Sequence, residues 1–335
     1  MSATAVDRYL PSQLPALDIR LSRLDRVYAP GDVVHGMLIV LLPPRQHVSH
    51  TGLAVTAAGL AEVLHPRAGP RTTPLLSEKL VDVPEGKLVP DEGTSNAEVP
   101  IKRFPFKFKV PGEARVETYH GQHANVTYAI TGELKRGMFS MALTSTCEFI
   151  VETKGVPRPP APSSGIASDG TKSLQFAIRA ADQERLPTDL RQSDFEFAGT
   201  LSFTTCAVNF PLEGELHVVH RPPRAVQEVV LVLMRVEKLG ETSKNEQVFR
   251  TPVVYIQAAE GDFAEHGSWP IPLLLVFPRL FCCPDINHVT FRVRFELDVI
   301  ITFAPSKNDK KDATPVEAKT SIPLTLYRLS DDADQ

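Results

Sequence analysis

Hydrophobic and polar residues alternate with a period of two along much of this chain. In 289–301, VTFRVRFELDVII, the residues Val289, Phe291, Val293, Phe295, Leu297, Val299 and Ile301 fall on one side, with Thr290, Arg292, Arg294, Glu296 and Asp298 on the other. Successive side chains of a strand point to opposite faces, so the first set faces a core and the second faces water. Segment 104–110 repeats the pattern with Phe104, Phe106, Phe108 and Val110 against Lys107 and Lys109, and 126–134 does so through Val126, Tyr128, Ile130 and Leu134. The run VVLVLMRV at 229–236 is apolar on both faces and reads as a central strand. The best helical candidate, IRAADQERL at about 178–186, is short. The pattern predicts an all-β protein.

The strand patterns recur in the same order. Gly36-Met-Leu38-Ile-Val40, followed by Pro43-Pro44, matches Gly214-Glu-Leu216-His-Val218, followed by Pro222-Pro223, 178 positions on. FPFKFKVP at 104–111 matches IPLLLVFP at 271–278, offset 167, and VTYAITGEL at 126–134 matches VTFRVRFEL at 289–297, offset 163. Self-similarity in register marks a repeated structural unit. Short strands with Pro/Gly turns in each unit predict two β-sandwiches in tandem. The expected layout is an extension over 1–15, a first sandwich over 16–153, a Pro/Ser/Gly-rich linker over 154–172, a second sandwich over 173–330 and a short tail over 331–335. Segment 65–98, rich in Pro, Gly and charge, reads as a long surface loop; 305–315 reads as a polar hairpin loop before a last strand at about 320–329.

Composition agrees with two domains. The chain has 335 residues, 42% hydrophobic and 23% charged, which is globular rather than disordered. Its 29 prolines leave little room for long helices, because each mid-helix proline removes a donor and clashes one turn back. Lys plus Arg is 36 and Asp plus Glu is 40, a net of −4, so no broad basic field suits nucleic acid or an anionic membrane. Cys147, Cys206, Cys282 and Cys283 form no CxxC pair and fit neither a zinc site nor a secreted disulfide framework. The opening MSATAVDRYLPSQLPALD lacks a basic and then apolar leader, and no apolar run reaches the roughly 18 residues of a membrane span. A soluble protein of a reducing compartment is expected.

Motifs for chemistry fall short. Gly165-Ile-Ala-Ser-Asp-Gly170-Thr-Lys172-Ser173 approaches a phosphate loop, but Thr171 displaces the lysine and no parallel sheet is predicted around it. The pairs His47/His50, His120/His123 and His217/His220 stand three apart, which on a strand sends the imidazoles to opposite faces, so surface histidines are expected. There is no GxSxG elbow, Cys282-Cys283 lies in apolar LFCCP, and the sequon at Asn125 falls in a strand. No catalytic, cofactor or metal residues are assigned, and no enzyme is expected.

Two sandwiches with a proline-flanked strand in each resemble the arrestin architecture. ALDIRLSRLDRVYAPGDVVHG (16–36), ETYHG (117–121), TCEFIV (146–151), LEGEL (212–216) and VFPRLFCCP (276–284) resemble the vacuolar protein sorting-associated protein 26 family, most of all its C branch of retriever subunits. The resemblance covers about 16–151 and 186–330; ETYHG and FPRLF with the following Cys-Pro carry the branch. It implies a non-catalytic, arrestin-like adaptor, cytoplasmic and peripheral on endosomes through its partners. Those partners would be a helical-solenoid subunit related to vacuolar protein sorting-associated protein 35, the small subunit numbered 29 through the complex, a sorting nexin and Commander components.

By position, the solenoid surface implied by the resemblance lies near Thr251–Asp262 and Pro278–Phe281, with Val254, Tyr255, Ile256, Asp262, Pro278, Arg279, Leu280 and Phe281 as its candidate residues. The residues themselves allow this, since TPVVYIQA at 251–258 follows a polar loop and suits an edge strand. Equally, that strand pairs on both sides, Phe277, Leu280 and Phe281 close the sandwich, and ETYHG is a turn with Gly121 at positive φ. The alternatives are a retromer-type subunit, an arrestin-domain adaptor and, more remotely, a nucleotide-binding enzyme. An arrestin-domain adaptor that recruits ubiquitin ligases would carry PPxY, whereas the PP pairs here continue as PPRQ, PPAP and PPRA.

Overall fold

A computed structural model of the chain describes residues 15–44, 47–65, 69–94, 99–112, 116–137, 140–155, 173–240, 246–263, 269–278, 281–306 and 315–329. They form two compact units, 1–153 and 154–335, each a sandwich of two sheets. This is the all-β tandem that alternation and repetition predict, in the arrestin-like form that the resemblance implies.

In the first unit the smaller sheet runs β1 (Ala16–Leu21), β3 (Val33–Leu41), β6 (Ile101–Lys109). The larger runs β2 (Val27–Tyr28), β9 (Leu143–Val151), β8 (Ala124–Lys135), β4 (Val48–His65), β5 (Gly69–Leu88), and β7 (Tyr119–His120) also pairs with β8. Alternate residues Val126, Tyr128, Ile130 and Leu134 of β8 are buried as expected. Phe149 of β9 lies within 6 Å, ring to ring, of Tyr28, Phe108 and Tyr128, and because Phe108 comes from β6 this cluster joins the sheets.

The second unit repeats this wiring. Its smaller sheet runs β10 (Leu174–Arg179), β11 (Glu196–Leu201), β13 (Leu212–His220), β16 (Ile271–Leu275). Its larger sheet runs β12 (Thr205–Ala207), β19 (Val316–Tyr327), β18 (Phe291–Phe303), β14 (Val226–Leu239), β15 (Gln247–Glu260), and β17 (Ile286–Asn287) also pairs with β18. The short strands β2 and β12 both pair parallel to the last strand of their unit. Pro105 and Pro272 occupy β6 and β16, each the end strand of its sheet, where a missing N–H breaks no ladder. β14 is central, as VVLVLMRV requires.

Pairing of the short strands corrects one alignment of the repeat. Tyr119 faces Val126 as Ile286 faces Val293, so Val126 corresponds to Val293, at the same offset of 167 as the proline-flanked strands. The offset of 163 slips by four residues, two in–out periods, which leaves the alternation looking intact. Val289 accordingly lies outside β18 and is 72% exposed.

Three other expectations change. Segment 65–98 is not a long loop: β5 occupies Gly69–Leu88 and pairs with β4 along its whole length. Its polar, proline-containing sequence is that of an edge strand, whose outer side needs neither burial nor a ladder. Nor is 178–186 a helix. β10 ends at Arg179, a single 3-10 turn follows at Ala180–Asp182, and the α-helix among the described residues is α1, Thr188–Arg191, begun by Pro187. Gln183 is held extended because its side-chain amide donates to the Lys319 carbonyl (3.1 Å) and accepts from the Lys319 N–H (3.0 Å). The last strand begins at Val316, earlier than expected.

α1 is anchored by Arg224, whose Nε and Nη2 donate to the two oxygens of Asp189 at 2.6 and 2.9 Å. Arg224 is buried, and its guanidinium holds the Asp189 carboxyl below the ordinary value of 3.8. A depressed folded-state pKa stabilises the fold above the ordinary value, and that contribution is lost as pH falls through the lower one. Asp189→Asn is expected to cost about 1 kcal/mol at neutral pH, the loss of a charge-assisted pair whose Asp189 side is nearly half open to water and so screened. Thermal melts of both proteins across pH check this; the gap between them narrows in acid, below the ordinary carboxyl pKa.

Candidate functional site

Every open sheet carries end strands whose backbone groups invite another strand, so the covering of each is informative. On β6, the Asp91 N–H donates to the Ile101 carbonyl (2.8 Å) and the Asp91 carboxylate accepts from the Arg103 N–H (3.1 Å). Gln183 occupies the outer side of β19 at Lys319. β5 carries Pro70, Pro74 and Pro84 with Arg71, Glu78, Lys79, Asp82, Glu85 and Lys87, a sequence that resists pairing. β15, in the corresponding place of the second unit, has Pro252 and reads QVFRTPVVYIQAAE, rich in the residues that favour strands.

Three of the expected site residues sit on β15. Tyr255 is 66% exposed, and Val254 and Ile256 on either side of it are half-buried. β15 ends its sheet among the described residues and adjoins β16, the end strand of the other sheet. Beyond β16, the Pro278 carbonyl accepts from the N–H groups of Phe281 and Cys282, both at 3.0 Å. Phe277 and the two following cysteines are buried, whereas Phe281 is 56% exposed, so Phe281 does not close the sandwich. Arg279 and Leu280 lie outside the described residues. Asp262 is turned to internal use: its carboxylate accepts from the Val226 N–H at 3.4 Å and pairs with Arg221 at 3.5 Å.

Sequence reasoning missed the exposed apolar residues nearby, Val248 on β15, Trp269, and Leu274 and Val276 on and after β16. A signal for the last two was present. They stand where the first unit has Lys107 and Lys109, so the repeat itself marks them as departures.

ETYHG has a structural role. The buried Glu117 carboxylate accepts from the N–H (2.8 Å) and the hydroxyl of Thr153. Thr118 bridges to Val151 twice: its N–H donates to the Val151 carbonyl (2.9 Å) and its Oγ accepts from the Val151 N–H (2.8 Å). Asp285 does the same to Leu326 in the second unit, at 3.0 and 3.1 Å. The Gly121 N–H donates to the carbonyl of Ala124 and the side chain of Asn125; among the described glycines positive φ belongs instead to Gly31, Gly69, Gly93, Gly240 and Gly261.

Burial works against thiolate chemistry at the four cysteines. Burial pushes the Cys206 and Cys282 thiols up to about 12 and raises Cys147 too, the opposite of an activated nucleophile. Among the described residues no group of three His, Cys, Asp or Glu side chains is placed to hold a metal. His50, expected at the surface, is instead buried, because it faces the small Gly86 across β4 and β5. The glycine-rich segment 165–172 lies outside the described residues. No helix among the described residues is long and apolar enough to cross a membrane.

Comparison with known proteins converges on one family. Residues 20–304 match the family model described as vacuolar protein sorting-associated protein 26. The chain is also 28% identical over 297 residues to vacuolar protein sorting-associated protein 26C of Dictyostelium discoideum, an alignment covering 85% of this chain and 93% of that relative.

Proposed function

The chain belongs to the vacuolar protein sorting-associated protein 26 family, and on that premise we propose that it is a non-catalytic subunit of a retriever-type cargo-recycling complex on endosomes. It joins a helical-solenoid subunit related to vacuolar protein sorting-associated protein 35 through its second sandwich. The small subunit 29, a sorting nexin and the Commander components reach it through that assembly, and the membrane is reached the same way. The observation that carries the docking surface is the contrast between the matched edges: β5 is guarded by prolines and charges, while β15 offers Val254, Tyr255 and Ile256 beside the apolar residues of β16. Backbone pairing along an open edge supplies affinity, and exposed apolar side chains supply specificity. The 26C name of the relative and the ETYHG and FPRLF motifs support the retriever branch over the retromer branch.

Purification of the tagged chain from cells, with mass spectrometry of what accompanies it, tests the assignment. The retriever-type solenoid is the expected companion. Recovery of the retromer solenoid instead, or of no solenoid, overturns it.

A further inference from the structure

The outward face of β1, β3 and β6 in the first unit combines an apolar recess with cations. Strand register sets Asp18, Ile39 and Arg103 in one row and Arg20, Met37 and Pro105 in the next. His35 then stands beside Lys107, and Val33 beside Lys109. Ile39 belongs to a small cluster with Ala16, Leu41 and Val99, against which Met37 and Ile101 pack. Next to it opens a recess of about 430 Å³ bordered by Arg20, Ser22, His35, Met37 and Ile39.

Charge on this face runs against that of the chain. Arg20 pairs with Asp18, and Arg103 with Asp91, while Lys107 and Lys109 are exposed and form no ion pair among the described residues. The face thus holds two unneutralised cations on a chain of net charge −4. Repetition supplies a control. At the positions of His35, Met37, Lys107 and Lys109 the second unit has Glu213, Glu215, Leu274 and Val276. One fold surface has been given opposite character in its two copies, so the cations are not a requirement of the sandwich.

We propose that this face binds an acidic segment of a partner protein, with an aliphatic side chain seated in the recess on Met37 and Ile39 and flanking carboxylates on Lys107 and Lys109. Neighbouring strands lie about 4.8 Å apart, and side chains i and i+2 of an extended peptide about 6.8 Å apart. One short acidic stretch therefore spans from the recess to β6. A lipid headgroup fits less well, because it presents phosphate at the depth where the recess offers apolar wall. The surface belongs to the first unit, not to the unit that carries β15, and does not depend on the solenoid assignment.

Selection from a library of short random peptides displayed on phage, with the full chain as bait, tests this. Enriched peptides are expected to carry several Asp or Glu around one aliphatic residue. A fluorescein-labelled synthetic copy should bind more weakly as salt rises. Its affinity should fall by roughly tenfold or more in the Lys107→Glu, Lys109→Glu double variant. A serine double variant should lose affinity as well, and because both lysines are exposed the melting temperatures should stay unchanged. The proposal is overturned by enriched peptides without acidic bias, by affinity in both double variants equal to that of the parent chain, or by lysine-dependent binding only to phosphatidylserine vesicles.

Discussion

Gly214→Val is expected to lower the melting temperature of the second sandwich by roughly 10 °C, through a cost of more than about 3 kcal/mol at about 2–4 °C per kcal/mol for a unit of this size. Gly214 lies on β13 between Leu201 of β11 and Leu273 of β16. A Cβ there would stand 2.5 Å from the Thr200 carbonyl oxygen and 2.8 Å from Leu201 Cδ2. The carbonyl belongs to a strand paired on both sides, so it has nowhere to retreat. Its counterpart Gly36 meets the same obstacle, with the Arg20 carbonyl oxygen 2.9 Å from the Cβ position and the Phe106 ring across it. Calorimetry of Gly214→Val beside Gly137→Val, where no atom lies within 4 Å of the added carbon, isolates the clash. Equal melting of the two variants would show that the strands do not approach as closely as described.

The second large effect is on association. Tyr255→Asp is expected to weaken binding to the solenoid by roughly thirtyfold or more while leaving the melting temperature within about 2 °C of the parent. Truncating an aromatic anchor at an interface costs about 2 kcal/mol or more, and a buried, unpaired carboxylate adds to that. The fold is spared because Tyr255 is 66% exposed and faces water when the chain is alone. Thr72→Asp, on the guarded edge β5, is the matched control and should bind as the parent does. Titration by calorimetry reads both; equal loss in the two variants would point to non-specific charge repulsion instead.

Alternation revealed the sandwiches because the buried apolar sets of β8 and β18 recur every second residue, as one-sided burial demands, while β14 showed itself by being apolar on both faces. It failed at β5, since an edge strand with both faces largely in water has no apolar period to show. It failed at 178–186 because Gln183 is fixed by the backbone of Lys319, 136 residues away, which no local pattern contains. Of the site, the β15 segment was legible as a possible edge, whereas Asp262 could not be told from a contact residue until Arg221 and Val226 were seen to use it. The device built from Thr118 and Asp285 escaped notice because a hydroxyl and a carboxylate do the same work, an equivalence of geometry rather than of residue type.

Hydrogen exchange of the full chain, alone and with the solenoid subunit, tests the central claim most directly. Amides within 247–260 are expected to slow on binding, together with those near 271–283, while those of 69–88 keep their rates. Protection confined to the first sandwich, or none along β15, would contradict an adaptor held to its solenoid by the unguarded edge of the second.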